Sequence, residues 1–333
     1  MKKLINDVEK VAAEAMEGLA LAHPDLIENH PAEGFLSRAA GIKKEAGKVG
    51  IISGGGSGHE PLHAGFIGTG MLDAAVPGPV FTSPTPDPIC AAAKEADNGA
   101  GVLFIVKNYT GDVLNFDTAA ELADMDDITV KQVIVNDDVA VENSTHTAGR
   151  RGVAGTVLVE KIAGAAAERG DDLETVAAIA QKVIDNTGSM GLALSACTVP
   201  HVGKPSFDLP EDEIELGVGI HGEPGRRRMP MDTADNLTDE LVNPIIEDLK
   251  LTKGERVIAL VNGMGATPES ELYIVFRRVA QRLHDAGIEI ARSLVGNYVT
   301  SLDMAGCSVT LCRVDDSLLE LFDAPAHTPA FRS

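Results

Sequence analysis

Four residues in this chain stand where they could do chemistry. The first is His221, in Gly217-Val218-Gly219-Ile220-His221-Gly222-Glu223-Pro224-Gly225, which carries a glycine at four of nine positions. So permissive a backbone can take positive φ and lets a ligand come close. An imidazole left this bare could act as a nucleophile or as a general acid or base. The same residues also fit a turn histidine with glycines beside it. The second is His59, in Gly54-Gly55-Gly56-Ser57-Gly58-His59-Glu60-Pro61, where a row of backbone N–H groups suits a hydroxyl or oxyanion of a small polar ligand. The third and fourth are Lys107 and Asp112, which flank Lys107-Asn108-Tyr109-Thr110-Gly111-Asp112. Asp112 reads as a carboxylate base or as a solvated turn residue. Lys107 reads as a site cation or as a surface lysine whose stem covers a strand end.

The apolar pattern places all three loops after strands. Lys48 to Ser53 is a short strand leading into the first glycine run, and Gly101 to Val106 is an unbroken apolar run of a strand covered on both faces. Ile214 to Ile220 leads into the His221 loop, with Glu223-Pro224-Gly225 as a turn. Ligands of open α/β sheets bind beyond the carboxyl ends of strands, so the three loops belong together. Further strands are expected at 129–135, 256–261, 289–295 and 308–314. Helices are expected at 4–22, 89–96, 155–169 and 172–186, with a last one that has Thr267 as N-cap, Pro268 at its first position and Gly287 past its end. Thr82 to Pro88 is a proline-rich loop. The order of elements predicts an α/β fold of two domains, each a central sheet with flanking helices: 1–188 with the glycine run and Asp112, and 189–333 with the His221 loop. No repeat of 20 to 50 residues is visible.

Neither glycine run satisfies a nucleotide fingerprint. The first lacks the Gly-Lys-Ser/Thr ending of a phosphate loop and the third glycine of a dinucleotide site. Asn262-Gly263-Met264-Gly265 fails the same test, with Thr267-Pro268 where the pattern would continue. His59 and His63 have the i,i+4 spacing of metal ligands, but Pro61 breaks the helix that would present them, and no metal is expected.

Charge narrows the partners. Fifty Asp and Glu against 28 Lys and Arg give a net charge of −22, which repels nucleic acid and anionic membrane surfaces. The excess is spread along the chain, as suits a protein working in concentrated salt. No apolar run reaches the ~18 to 20 residues of a membrane span, and the N-terminus lacks a secretory core, so a cytoplasmic protein is expected. Cys90, Cys197, Cys307 and Cys312 form no Cys-x-x-Cys pair and read as reduced, structural thiols.

The motifs around His59, Lys107 to Asp112, Ala148 to Ala154 and Gly217 to Gly225, with Ala259 to Asn262, Ser301 to Met304 and Asp323 to Ala330, resemble the dihydroxyacetone kinase substrate-binding subunit family. The resemblance spans essentially the whole chain. It implies that His221 holds the ketone carbon of dihydroxyacetone covalently as a hemiaminal, which glycerol, lacking a carbonyl, cannot form. It further implies that Gly56, Ser57, Gly58, His59, Lys107 and Asp112 surround the bound ketone. Asp112 would take the proton of the attacking hydroxyl, with help from His59. It implies a free-standing subunit, a homodimer, that binds no cofactor itself. Mg²⁺ and ADP or ATP would belong to a separate nucleotide-binding kinase subunit, with a phosphotransferase-system protein as phosphoryl donor. Members that bind dihydroxyacetone and contact a transcription factor without turnover are the alternative. The basic segment Arg226-Arg227-Arg228, and a stretch up to Lys253 shorter than the family's, depart from the pattern.

Overall fold

The computed structural model describes residues 2–42, 46–140, 147–223 and 225–333. Twelve strands and eight α-helices alternate along them. Helix α1 is Val11–Ala22; β1 (Ile27–His30), β2 (Phe35–Arg38), β3 (Gly50–Ser57) and β4 (Ala74–Val80) follow, then α2 (Pro86–Ala96), β5 (Val102–Lys107), α3 (Thr110–Asp124) and β6 (Val130–Val135). These six strands form one sheet in the order β1-β2-β4-β3-β5-β6, parallel from β4 to β6. Helices α4 (Thr156–Arg169) and α5 (Leu173–Asp185) lead to β7 (Thr187–Ala193), β8 (Glu213–Leu216), β9 (Arg227–Pro230), α6 (Ala234–Asp248), β10 (Arg256–Gly263), α7 (Glu269–Asp285), β11 (Glu289–Gly296), β12 (Gly306–Arg313) and α8 (Asp316–Asp323). The second sheet runs β11-β10-β12-β7-β8-β9, and only its β10–β11 pair is parallel. The expected α/β architecture, two mixed sheets with flanking helices, is the one observed.

The cores show how the sheets are layered. One face of the first sheet packs on α2 and α3, and one face of the second packs on α6 and α7. The inner faces of both sheets share one core with α4, α5 and α8. Helix α4 is buried along nearly its whole length, as a helix between two sheets must be. Near β6, Asp137 ties the layers together. Its carboxylate accepts from Val153 N, Gly155 N and Ser189 Oγ at 2.8, 2.7 and 2.5 Å.

Several expectations need correction. Gly54 to Gly56 are not a loop: β3 runs through them in parallel register with Val76 to Gly78 of β4. Asp112 does not sit in a turn but in the first turn of α3, and α2 begins at Pro86, inside the proline-rich stretch. The strand before His221 stops at Leu216, because Gly217 turns to φ +76 and donates its N–H to Gly191 O at 2.7 Å. Helix α1 starts only at Val11, after a 3₁₀ turn capped by Asp7. Thr267 does not cap α7, since its hydroxyl bonds Gly306 O (2.7 Å) and Gly306 N (2.8 Å) across to β12. Gly188, at the expected domain boundary, lies in β7. The expected turn at 223–225 falls partly outside the described residues, at Pro224.

Candidate functional site

The carboxyl ends of β3 and β5 and the start of α3 face the loop after β8. Between them opens a cleft of about 690 Å³, lined among others by Gly56, Phe81, Ser83, Tyr109, Asp112 and His221. The size suits a small ligand.

His221 is half-buried and far from bare. Its ring meets Tyr109 edge-on at 4.5 Å between centroids, His59 at 4.7 Å and Phe81 at 5.3 Å, all near-perpendicular. Such edge-to-face contacts hold an aromatic ring in one orientation. The glycines around it serve packing. A Cβ on Gly219 would strike the Glu223 carboxylate and lie 2.7 Å from Arg151 Nη1, and one on Gly222 would lie 2.6 Å from Ser206 Oγ. The loop is pinned by charge. Glu223 accepts the His221 backbone N–H at 2.8 Å and pairs with buried Arg151 at 3.2 Å. Arg151 in turn binds Asp138 at 2.5 Å and donates to Gly217 O at 2.8 Å.

His59 is fully buried, stacked on Phe81 at 5.1 Å and 15°. Its Nδ1 lies 2.8 Å from Thr300 O, a pure acceptor, so Nδ1 carries the proton and Nε2 is a lone-pair acceptor. That Nε2 is buried and has no hydrogen-bond partner among the described residues. Burial pushes the ring well below the ordinary histidine range, with His221 and Lys107 adding to the effect, so His59 stays neutral.

Asp112 is buried on the opposite wall and accepts a short hydrogen bond from Ser83 Oγ. Burial raises its pKa, while Lys107 and Ser83 pull it down. A solvated turn carboxylate is therefore not what the structure shows. Nor is Lys107 a surface lysine. It is wholly buried, with Nζ 2.6 Å from His63 Nε2 and 3.4 Å from Gly54 O. Burial lowers its pKa against the pull of Asp112 and Glu160.

Of the expected site residues, the structure thus brings Gly56, Asp112 and His221 to one cleft, with His59 against His221. Lys107 lies behind the glycine strand: a Cβ on Gly55 would come 2.6 Å from its Nζ and 3.5 Å from Asp112 Oδ2. Ser57 is turned away, its hydroxyl donating to Gly78 O at 2.7 Å and lining a different pocket, under α1. Gly58 packs on Phe81, and its N–H is taken by the Glu60 carboxylate at 3.0 and 3.1 Å. Its amide is therefore committed, and the expected row of free N–H groups is not formed there. Sequence reasoning missed Phe81, Ser83, Tyr109, Arg151, Glu223 and Glu160, and weighed His63 only as a metal ligand. For Arg151 a signal existed, since a double arginine between glycines and apolar residues suggests a buried cation. No group of three or more His, Cys, Asp or Glu among the described residues is arranged to hold a metal ion. No helix among them is long and apolar enough to cross a membrane.

The Dak1 domain model matches residues 17–330. This chain belongs to the Dak1 family. The chain is 52% identical, over 99% of both proteins, to the dihydroxyacetone-binding subunit DhaK of the PEP-dependent dihydroxyacetone kinase of Escherichia coli. It is 53% identical to the dihydroxyacetone-binding subunit of PTS-dependent dihydroxyacetone kinase 1 of Listeria innocua, over 99% of this chain and 100% of that one. Among solved structures it resembles the dihydroxyacetone kinase operon co-activator DhaQ, with TM-score 0.90, 36% identity and 98% of each chain covered. It also resembles the C. freundii dihydroxyacetone kinase in complex with AMP-PNP and Mg²⁺, with TM-score 0.88 and 36% identity. All of this Dak1-family chain aligns there, but to only 61% of the longer kinase.

Proposed function

We propose that this chain is the dihydroxyacetone-binding subunit of a multi-subunit dihydroxyacetone kinase, a cytoplasmic homodimer that works with a separate nucleotide-carrying subunit. The observation that carries the reading is the cleft, with an imidazole on one wall and a buried carboxylate on the other. The full-length likeness to dihydroxyacetone-binding subunits supports it. The lone pair of one His221 ring nitrogen adds to the ketone carbon as the C=O π bond breaks. The carbonyl oxygen gains a proton and the other ring nitrogen gives one up, so a neutral hemiaminal forms with no net proton change. His59, neutral and with a free lone pair on Nε2, accepts a hydrogen bond from a substrate hydroxyl. Asp112 takes the proton of the hydroxyl that attacks phosphorus. Its raised pKa makes it a better base than a solvated aspartate. Lys107 sits beside Asp112 and balances its charge.

Phosphoryl transfer also needs charge neutralisation by a metal and a phosphate cradle. The strand through Gly54 to Gly56 offers no cradle, so the nucleotide and Mg²⁺ belong to the partner, charged by a phosphotransferase-system protein. A sensing module without turnover is the second reading, favoured by the likeness to the co-activator. The higher identity to the kinase subunits weighs against it.

The test is intact-mass analysis with dihydroxyacetone. An adduct should form on the native protein and vanish in His221→Ala. An adduct that survives the substitution refutes the assignment. Turnover when a nucleotide-binding kinase subunit and its donor are added separates enzyme from sensor.

A further inference from the structure

Behind the cleft runs a chain of buried titratable groups, of which the reading above uses only Lys107. Lys107 Nζ lies 2.6 Å from His63 Nε2, and His63 Nδ1 lies 2.5 Å from Glu160 Oε1. Glu160 is wholly buried on α4, and its Oε2 has no hydrogen-bond partner among the described residues. The chain points inward from Asp112, because the missing side chain of Gly55 leaves the space where Asp112, Lys107 and His63 meet. Apolar side chains of the same volume would fill such a core at least as stably, so packing alone does not account for three ionisable groups.

Two nitrogens at this separation share one proton, which leaves two arrangements. In the ionic one, the Lys107 ammonium donates to His63 Nε2, and His63 Nδ1–H donates to a Glu160 carboxylate. In the neutral one, both protons have moved one place inward. Lys107 is then an amine accepting from His63 Nε2–H, and Glu160 is a carboxylic acid donating to Nδ1. No proton enters or leaves, and the net charge is zero in both. Burial pushes Lys107 down and Glu160 up to about 8, and both shifts favour the neutral arrangement. Burial also keeps His63 from holding a second proton, with Lys107 and His59 acting in the same direction. The groups facing this chain are His59 from the segment after β3, Asp112 from α3 with Ser83 on it, Ser53 near Glu160, and His221 beyond His59. Only Asp112 places a negative charge at the Lys107 end.

We propose that His63 and Glu160 are positioning residues that form, with Lys107, an internal proton relay whose state follows the charge on Asp112. The inference rests on the reading of Asp112 as the base. While Asp112 is a carboxylate it holds the relay in the ionic form, and the ammonium beside it keeps it ionised. When Asp112 takes the substrate proton, that attraction disappears and the relay moves to the neutral form. The site then never carries an uncompensated buried ammonium.

The relay makes the His63 tautomer a reporter. In whole protein labelled with ¹⁵N-histidine, with the His63 signals assigned by their loss in His63→Gln, His63 should carry its proton on Nδ1 at neutral pH. In Asp112→Asn, a near-isosteric change, it should shift toward the Nε2–H tautomer. A His63 tautomer indifferent to Asp112→Asn overturns the relay. In Glu160→Gln no inner carboxylate can take the proton, so His63 should keep its proton on Nδ1 even when Asp112→Asn is added. A tautomer that still shifts in the double variant removes Glu160 from the relay. The tautomer measurement needs no substrate. A missing His221 adduct with a responsive tautomer therefore refutes the functional reading alone, and a normal adduct with an unresponsive tautomer refutes the relay alone.

Discussion

Adding one methyl group at Gly219 should open the clamp on His221. The backbone there is in an ordinary conformation, so Gly219→Ala acts by contact alone. Its Cβ would collide with Glu223 Oε1 and sit 2.7 Å from Arg151 Nη1, both wedged beneath the loop. The carboxylate must leave, and with it go the bond to His221 N (2.8 Å) and the pair with Arg151 (3.2 Å). Hydrogen bonds to charged groups contribute about 1.5–3 kcal/mol each. Glu223 is itself buried, while Arg151 keeps Asp138, so the net loss should be at the low end of the two bonds together, about 3 kcal/mol. Urea unfolding should show that loss as a lower midpoint at unchanged slope. Intact-mass analysis should show reduced dihydroxyacetone occupancy on His221, because the loop no longer holds the ring against Tyr109 and Phe81. Gly18→Ala supplies the control: nothing lies within 4 Å of its added carbon, in the middle of α1, and it should stabilise by up to about 1 kcal/mol. Wild-type stability and occupancy in Gly219→Ala would show that Glu223 does not hold the loop.

Asp112→Asn should leave capture by His221 intact and lower turnover by about 10² or more, as loss of a positioned base does. Loss of both capture and turnover would make Asp112 a ligand-positioning group, and near-normal turnover would remove it from the mechanism. Lys161 donates to Leu321 O and Ala324 O at 2.9 Å each, and burial lowers its pKa to about 8 from 10.5. Between those values the unfolded chain binds more protons than the folded one, so this residue adds stability as pH rises from 8 to 10.5. The thermal midpoint of wild type relative to Lys161→Met should accordingly improve from pH 8 to pH 10. A flat difference would refute the burial argument.

Much of this protein is legible in one dimension. Apolar runs set by a two-residue or 3.6-residue period mark β5, β6, β10, α4, α5 and α7 within a residue or two, because local pattern and final burial agree there. The strand-end positions of His59 and Lys107 follow from the same pattern, whereas His221 lies in a loop well past the end of β8 at Leu216. Other elements depend on what lies across from them. Strand β4 contains Pro77 and Pro79, which normally bar a central strand, yet its pairing with β2 ends at Ala75, so that side of the prolines needs no N–H, while Pro77 stays in register with Gly55 of β3. Strand β7 is rich in small residues because α6 and neighbouring loops press on it, as Ile245 and Val139 do at Gly188. The glycines of the His221 loop are needed for Glu223, Arg151 and Ser206, partners that lie elsewhere along the chain or act only once the loop has folded. Residue types and spacing decide which groups can react. Only the packed structure decides that Lys107 faces a histidine and Glu160 is buried, because burial and charge pairing depend on neighbours up to a hundred residues away.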